Sequence, residues 1–246
     1  MSDADRAFAG SIPEFYDTYM VPLIFEAYAK DIAARAASIA PISVLETAAG
    51  SGVVPRALIK RLHPGTRYVV TDLNQSMLDH AARRQVPDKR IEWRQADALN
   101  LPFEDETFDA VVCQFGAMFF PDRIKGYSEA RRVLRKGGSF YFNVWDKIEN
   151  NEFADVVTEV AGKMFPDYPP RFLARTPHGY FEHDTIREDL TQAGFSECAI
   201  VTKDEMSRAP SARHVAVAYC QGTPLRNEIE ARDRGSVQRV VRKFNS

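Results

Sequence analysis

The 246-residue sequence predicts an α/β fold in which helices cover both faces of a doubly wound, mostly parallel sheet. Short apolar runs alternate with amphipathic stretches, which is the pattern of repeated strand–helix–strand units. The right-handed connection of such units places helices on both sides of the sheet. Hydrophobic residues form 45% of the chain and charged residues 27%, which is typical of a globular protein with one substantial core.

Five short apolar runs are the predicted core strands, and four of them are rich in Val, Ile, Phe or Tyr. They cover residues 43–47, 68–72, 91–95, 108–114 and 139–144. The helices predicted between them cover residues 54–62, 75–84 and 127–134. Asn74 is the expected cap of the second helix, and Pro64-Gly65 and Gly137-Gly138 are expected to end two of the helices.

We expect a single domain over residues 1–246 with four parts. They are a helical cap (1–40), a core (41–145), a substrate flap dense in Pro and aromatic residues (146–183), and C-terminal helices with the last strand (184–246). Pro13 and Pro22 are predicted to break the cap helices. Residues 198–202 are a predicted sixth strand, and residues 214–220 and 236–246 are predicted helices.

Charge and targeting signals narrow the possible partners. The formal net charge of −2 gives no basic field, so nucleic acid is not an expected partner. The basic cluster Arg131, Arg132, Arg135 and Lys136 is interpreted as the solvated end of a helix. The N-terminus lacks the pattern of a signal peptide, and no apolar stretch reaches the ~20 residues of a membrane span, so the cytoplasm is the expected compartment.

Cysteine and histidine show neither a disulfide nor a metal pattern. Cys113, Cys198 and Cys220 are odd in number and widely spaced without a CxxC motif, and Cys113 is expected to be a buried thiol. The five histidines are scattered, so no metal is expected.

Three acidic residues follow predicted strands near a glycine-containing turn. In VLETAAGSGVV, Gly50 and Gly52 allow a tight turn and close approach of a ligand, and Glu46 ends the strand. Asp72 lies about 20 residues beyond the turn, where a carboxylate can bind the ribose hydroxyls of an adenosine ligand. Asp97 can accept a hydrogen bond from an adenine amino group. The structural alternatives are a plain strand-to-helix turn and an N-cap role for Asp72.

Together, these motifs resemble the class I S-adenosylmethionine-dependent methyltransferases. The run ETAAGSG, Asp72, Asp97-Ala98, FDAVVCQFGAMFF and RVLRKGGSFYF follow in the order and spacing of that family over roughly residues 40–145. The sequence is most similar to the small-molecule branch that includes the ubiquinone/menaquinone C-methyltransferases. The resemblance implies a Rossmann-like sheet of six to seven strands, S-adenosylmethionine as cofactor, S-adenosylhomocysteine as product, and a small-molecule methyl acceptor.

The resemblance also implies a cofactor site built from the turn, the ends of the strands and the cap. Its residues are Tyr16, Glu46, Thr47, Ala48, Gly50, Gly52, Asp72, Leu73, Met77, Asp97, Ala98, Leu99, Gln114, Phe115 and Phe119. The turn is expected beside the methionine part of the cofactor, Asp72 at the ribose, Asp97 at the adenine and Gln114 near the sulfonium. Tyr19 is the alternative to Tyr16 as the aromatic cover.

No catalytic base is assigned. His178, Tyr16 and Tyr180 are candidates, and a packing role is favoured for His178. Asp109 is interpreted as structural. The aromatic residues of the cap and flap suggest an apolar or aromatic acceptor.

The sequence departs from the family pattern at two places. Ala48 stands where the family usually has glycine, and alanine is expected to tolerate the turn only with a negative φ. After the predicted sixth strand, residues 214–220 favour a helix, so the chain either lacks the seventh strand or borrows one from a second copy as a homodimer.

Two other functions are compatible with parts of this pattern. A nicotinamide-dependent reductase would normally show G-x-G-x-x-G, but Ala48 and Pro55 replace its first and last glycines. A protein that binds S-adenosylmethionine without methyl transfer is the main alternative, because fold alone does not determine function.

Overall fold

A computed structural model describes Phe8 and residues 10–244 of the chain, so the ends of the predicted cap and of the last predicted helix lie outside the described residues. The sheet has strand order β3-β2-β1-β4-β5, and all its pairings are parallel. The strands are β1 Ser43–Glu46, β2 Arg67–Asp72, β3 Ile91–Gln95, β4 Phe108–Gln114 and β5 Leu134–Asn143. The predicted parallel α/β fold is therefore confirmed.

Helices cover this sheet, and further helices precede β1 and follow β5 in the described chain. The α-helices are α1 Ile12–Phe15, α2 Glu26–Ser38, α3 Val53–Leu58, α4 Gln75–Arg84, α5 Arg123–Val133, α6 Glu152–Met164, α7 Phe172–Arg175, α8 His183–Gln192, α9 Ala212–Gly222, α10 Leu225–Arg232 and α11 Val237–Lys243. A π-helix covers Tyr16–Phe25, and short 3-10 helices cover Ala117–Phe119 and Ile148–Asn150.

The central strands are buried because helices cover both of their faces. β1 is buried along its whole length and lies between β2 and β4, with Val44 paired to Tyr68 and to Ala110. The α2, α3 and α4 helices pack on one face of the sheet, and α5 packs on the other. Alternating side chains point to opposite faces of a strand, so consecutive residues such as Val44 and Leu45 enter the two different cores.

The number of strands predicted from the sequence is wrong for the described residues, which form five strands where six to seven were expected. Residues 198–202, the predicted sixth strand, form neither helix nor strand and pair with no strand of the described chain. A cleft of about 2200 Å³ separates the segment 196–207 from the outer edge of β5. An apolar run indicates that a strand can form, but pairing also needs a neighbour within hydrogen-bonding distance.

Two further predictions, one based on a glycine pair and one on a proline, are wrong. Gly137 and Gly138 do not end a helix, because α5 already ends at Val133 and both glycines lie within β5. Gly137 has φ +79, and the β4–β5 register shifts at this point, so the pair forms a bulge. Pro22 does not break the cap either, because it lies inside the π-helix, whose register differs from the α-helical one. The predicted helix at 54–62 is also shorter and ends at Leu58.

The C-terminal helices agree with the prediction. Residues 214–220 lie within α9, and the Ser211 side chain caps this helix by accepting a hydrogen bond from the His214 backbone N–H at 3.2 Å. Residues 237–243 form α11. Among the described helices, none is both long and apolar enough to cross a membrane.

Candidate cofactor-binding site

The turn after β1 adopts a left-handed backbone at three of its residues. The φ angles of Ala48, Gly50 and Gly52 are +53, +57 and +81. The Thr47 N–H donates to Val112 O at 2.9 Å, and the Ala49 N–H donates to Thr71 O at 3.0 Å, so the turn is tied to both neighbouring strands. The backbone between Thr47 and Gly52 is therefore held at the carboxyl end of the sheet, where ligands of such folds bind.

The expected negative φ at Ala48 is wrong. A non-glycine residue at this φ is uncommon, and the left-handed conformation costs it roughly 1–2 kcal/mol. The Ala48 methyl group points towards Gly116, because a Cβ built on Gly116 would lie only 2.5 Å from Ala48 Cβ and 2.9 Å from Cys113 Sγ. Gly116 itself has φ −100, which any residue can adopt, so glycine is needed there for space.

Asp72 ends β2 and faces the turn. Its Oδ2 accepts the Gly50 N–H at 2.8 Å, and its Oδ1 accepts the Asn74 N–H at 2.8 Å. The side chain is buried, and burial raises the pKa of this carboxyl despite the hydrogen bonds from Asn74 and Gly50 that oppose the shift. Oδ1 also accepts the Asn74 side-chain amide at 3.4 Å, whereas Oδ2 has the Gly50 N–H as its one hydrogen-bond donor among the described contacts, so Asp72 can accept a further hydrogen bond from a ligand.

Glu46 lies in an unusual environment for a carboxylate. It is 1% exposed and accepts a short hydrogen bond from the hydroxyl group of Tyr68, the residue paired with Val44 across β1 and β2. Burial raises the pKa of Glu46 to about 8, although the Tyr68 hydrogen bond opposes this shift. Burial therefore favours the protonated form of this carboxyl, and Tyr68 competes with any ligand for it.

Aromatic residues from the cap cover the turn. A Cβ built on Gly50 would lie 4.0 Å from a ring carbon of Tyr16 and 3.7 Å from the terminal methyl of Met77. The Phe8 ring makes edge contacts with the rings of Tyr16 and Phe119, at centroid distances of 6.0 and 5.8 Å. The Ser76 hydroxyl donates to the Phe8 carbonyl oxygen at 2.9 Å and fixes this segment to α4.

Tyr16, rather than Tyr19, is thus the aromatic residue at the turn. The Tyr19 ring contacts His214 of α9 at a centroid distance of 5.0 Å and Phe15 at 5.8 Å. Tyr19 therefore helps to pack the cap on α9.

The end of β4 forms the opposite wall of the site. Phe115 has φ +49 and stacks on Trp145 with ring centroids 3.8 Å apart and planes at 6°. Its backbone N–H donates to Asn143 O at 3.1 Å and to Asn143 Oδ1 at 3.0 Å. Gln114 is buried, and its Oε1 has no hydrogen-bond partner among the described residues, so this oxygen can accept a hydrogen bond from a ligand.

The residues expected around an adenine ring occupy the ends of β2 and β3. Asp97 is exposed, and its Oδ1 accepts the Leu99 N–H at 2.9 Å, so one carboxylate oxygen shapes its own loop. Ala98 and Leu99 pack partly buried at the edge of the core. Leu73 is 41% exposed and Met77 is buried.

The candidate bases have structural partners. His178 is buried, its Nδ1 lies 2.9 Å from Asp146 O, and burial lowers its pKa. The Tyr180 hydroxyl donates to Asp189 Oδ2 at 2.8 Å, and the Arg123 guanidinium lies over the Tyr180 ring at 4.1 Å. These contacts agree with the packing role favoured for His178, and they assign no base.

The basic cluster and the polar residues outside the site also have structural roles. Arg132 donates to the carbonyl oxygens of Leu101 and Phe103, and Arg135 pairs with Asp109 at 2.8 Å.

The thiol of Cys113 is buried, which raises its pKa to about 11. Within the described part of the chain, no group of three or more His, Cys, Asp or Glu side chains is placed to hold a metal ion.

Sequence reasoning missed several residues that shape this site: Phe8, Asp17, Ser51, Arg56, Tyr68, Gly116 and Trp145. Of these, Ser51 had a detectable signal, because it lies between the two glycines of the turn. The others become neighbours of the turn only through the fold.

The comparisons with known proteins agree with this geometry. Residues 45–142 match the model of a family described as a methyltransferase domain. The chain is 38% identical over 104 residues to the demethylmenaquinone methyltransferase of Clavibacter sepedonicus, an alignment that covers 41% of each protein. It is 30% identical over 169 residues to a ubiquinone/menaquinone biosynthesis C-methyltransferase of Hahella chejuensis, covering 63% of this chain and 68% of the relative.

A solved structure shows the same fold. It is a protein from Methanococcus maripaludis assigned as an S-adenosyl-L-methionine-dependent methyltransferase, with a TM-score of 0.60 and 22% identity, covering 83% of this chain and 91% of the other. This structure shows the fold, and the relatives confirm the family that the motifs resemble. The chain therefore belongs to the class I S-adenosylmethionine-dependent methyltransferases, in the group similar to the ubiquinone/menaquinone C-methyltransferases.

Proposed function

We propose that this protein binds S-adenosylmethionine between the turn after β1 and the aromatic cap, and transfers its methyl group to a small apolar or aromatic acceptor. The observation that carries the proposal is the pairing of Asp72 with the Gly50 N–H at 2.8 Å. This contact places a buried carboxylate directly beside a left-handed glycine turn at the carboxyl end of a parallel sheet.

The residues present fit such a cofactor. The carboxylate of Asp72 is the acceptor proposed for the two vicinal ribose hydroxyls, and the lack of a side chain at Gly50 leaves room between the turn and Met77. We assign Glu46 to the methionine part of the cofactor, where the positive charge of the amino group would favour ionisation of its carboxyl. Asp97 retains one carboxylate oxygen for an adenine amino group.

When bound, S-adenosylmethionine supplies a methyl group already activated by its positive sulfur. The protein then has to hold the acceptor in line behind that methyl group, and orientation can lower the barrier by ~7–11 kcal/mol. Tyr16 and Phe119 would exclude water from the site, which strengthens its electrostatic interactions. The free Oε1 of Gln114 would accept a hydrogen bond from the acceptor or the cofactor.

The aromatic side chains on the proposed acceptor side of the site favour an aromatic substrate. The stacked Phe115–Trp145 pair continues into Phe25 and Tyr28, whose rings lie 5.3 to 5.7 Å from the Trp145 ring. Such a surface favours planar apolar rings over charged molecules. The relatives from C. sepedonicus and H. chejuensis are named for quinone substrates, so we propose a hydroquinone-like acceptor, with the segment 146–183 as the flap over it.

Calorimetric titration with S-adenosylmethionine and S-adenosylhomocysteine tests the cofactor. We expect Asp72→Ala to weaken the binding of both at least tenfold, because it removes charged hydrogen bonds worth about 1.5–3 kcal/mol each. Asp79→Ala is the matched control, because Asp79 is exposed on α4 and bonds only to Gln75 among the described contacts. Unchanged affinity in folded Asp72→Ala protein would remove Asp72 from the site.

Methyl transfer is then assayed with hydroquinones and simple phenols, with mass spectrometry detecting the added methyl group. The alternative function is cofactor binding without transfer, and the end of the described sheet at β5 favours it, because that edge normally continues towards the acceptor. Tight binding of both ligands with no methylated product from any acceptor class would support the alternative.

A further inference from the structure

The cap is joined to the cofactor turn by one buried carboxylate, that of Asp17. This residue lies next to Tyr16 in the first turn of the π-helix and is 7% exposed. Its Oδ1 accepts the Ser51 hydroxyl at 3.0 Å and Arg56 Nη2 at 2.8 Å. Its Oδ2 lies 3.0 Å from Arg84 Nε and 3.2 Å from His80 Nε2.

The partners of Asp17 come from three different elements. Ser51 belongs to the turn, Arg56 to α3, and His80 and Arg84 to α4. Arg56 also donates to the Ser51 carbonyl oxygen at 2.7 Å, so Asp17, Arg56 and Ser51 close a ring of hydrogen bonds. Burial of an unpaired carboxylate is costly, and a carboxylate with this many donors is held in one position.

The other side of the cap is held by apolar packing. A Cβ built on Gly222 of α9 would lie 3.2 Å from Tyr16 N and 3.2 Å from Met20 Cγ, so α9 and the π-helix are in close backbone contact. This packing fixes the helix against the C-terminal helices but does not specify its distance from the turn. The polar contacts of Asp17 join the π-helix directly to the turn, to α3 and to α4.

Ser51 lies between Gly50 and Gly52, and the Tyr16 ring covers Gly50. We propose that Asp17 is a positioning residue that holds the Tyr16 segment on the glycine turn and thereby encloses the cofactor between them. The inference rests on the proposed cofactor site. It adds that closure of this site depends on an ion-pair network formed by residues outside the proposed cofactor contacts.

Asp17→Asn is the first test, because asparagine keeps the shape and can still accept from Ser51 but loses the charge that holds Arg56 and Arg84. We expect S-adenosylhomocysteine to dissociate at least tenfold faster in stopped-flow measurements, with a similar rise in its dissociation constant. Without ligand, the amides of residues 16–25 and 50–52 should exchange hydrogen faster. Asp31→Asn is the control, because Asp31 lies on α2 and pairs only with Arg35 at the surface among the described contacts.

Ser51→Ala provides a second variant if Asp17→Asn does not fold, because it removes a single hydrogen bond from the same ring. It should raise the dissociation rate by a smaller factor and increase exchange in the same two segments. Unchanged dissociation and exchange in either folded variant would overturn the role of Asp17. Failure of the wild-type protein to bind either ligand would instead reject the proposed cofactor, while the exchange measurement would still test the link between cap and turn.

Discussion

The contact between Ala48 and Gly116 leads to a prediction with a calculable size. In the wild-type background, Gly116→Ala puts two methyl carbons 2.5 Å apart and the new methyl 2.9 Å from Cys113 Sγ. Overpacking of this kind costs typically 1–3 kcal/mol, so we expect the free energy of unfolding to fall by about that amount. In the Ala48→Gly background the first contact is gone, and the same substitution should cost at least about 1 kcal/mol less.

The Ala48→Gly change alone is a poor test. Glycine removes a left-handed strain of roughly 1–2 kcal/mol, but it also adds conformational entropy to the unfolded chain worth about 0.4–1 kcal/mol and deletes a partly buried methyl group. These terms nearly cancel. The coupling between the two substitutions isolates the contact itself, because the effects on each single background subtract out.

Urea unfolding of the wild type, the two single variants and the double variant, followed by circular dichroism, measures this coupling. Gly162→Ala in α6 is the control, because its new Cβ would lie at an ordinary 3.7 Å from Pro169 and should show no coupling to Ala48→Gly. If the Ala48 and Gly116 effects add to within about 0.3–0.5 kcal/mol, the steric explanation of Gly116 is refuted.

Two further predictions follow from the sheet. The pKa of Glu46 in the folded protein, about 8, lies above its ordinary value of 4.5, so its contribution to stability is full below pH 4.5 and is lost as the pH rises to 8. Relative to Glu46→Gln, the wild type should therefore lose up to about 1.4 kcal/mol of unfolding free energy per pH unit in that range, and parallel pH profiles of the two proteins would contradict this assignment. The outer edge of β5 pairs with no strand of the described chain, and a cleft separates it from segment 196–207, so we expect a homodimer in which a second copy supplies a strand to this edge. Light scattering that gives a monomer mass at micromolar concentration would reject it.

The sequence was sufficient to predict the strands of the β1–β4 core and to place Glu46, Asp72 and Gln114 at the ends of strands. The strands β3 and β4 have the predicted bounds, because short apolar runs between turns leave little choice of position. Asp72 is placed beside the turn by the parallel order of β1 and β2, which the crossover rules already imply.

The sequence-based predictions failed where a residue type is compatible with two structures, or where a contact joins distant parts of the chain. Gly137 is compatible with a helix end and with a bulge, and the β4–β5 register decides between them. The apolar run at 198–202 lacked a partner strand, which no local pattern reveals. Asp17 gave no signal, because its four partners are 34 to 67 residues away in the chain and become neighbours only after folding.

The strand order separates the proposed nucleoside contacts from the aromatic wall along the chain. The chain builds β1, β2 and β3 in one direction and then crosses back to place β4 and β5 on the other side of β1. The candidate contacts to the nucleoside come from the first half, whereas the aromatic wall of Phe115 and Trp145 comes from the second. Under the proposed function, substitutions in the Phe115–Trp145 wall would change the preference for the acceptor, while the nucleoside contacts proposed for Asp72 and Asp97 stay in place.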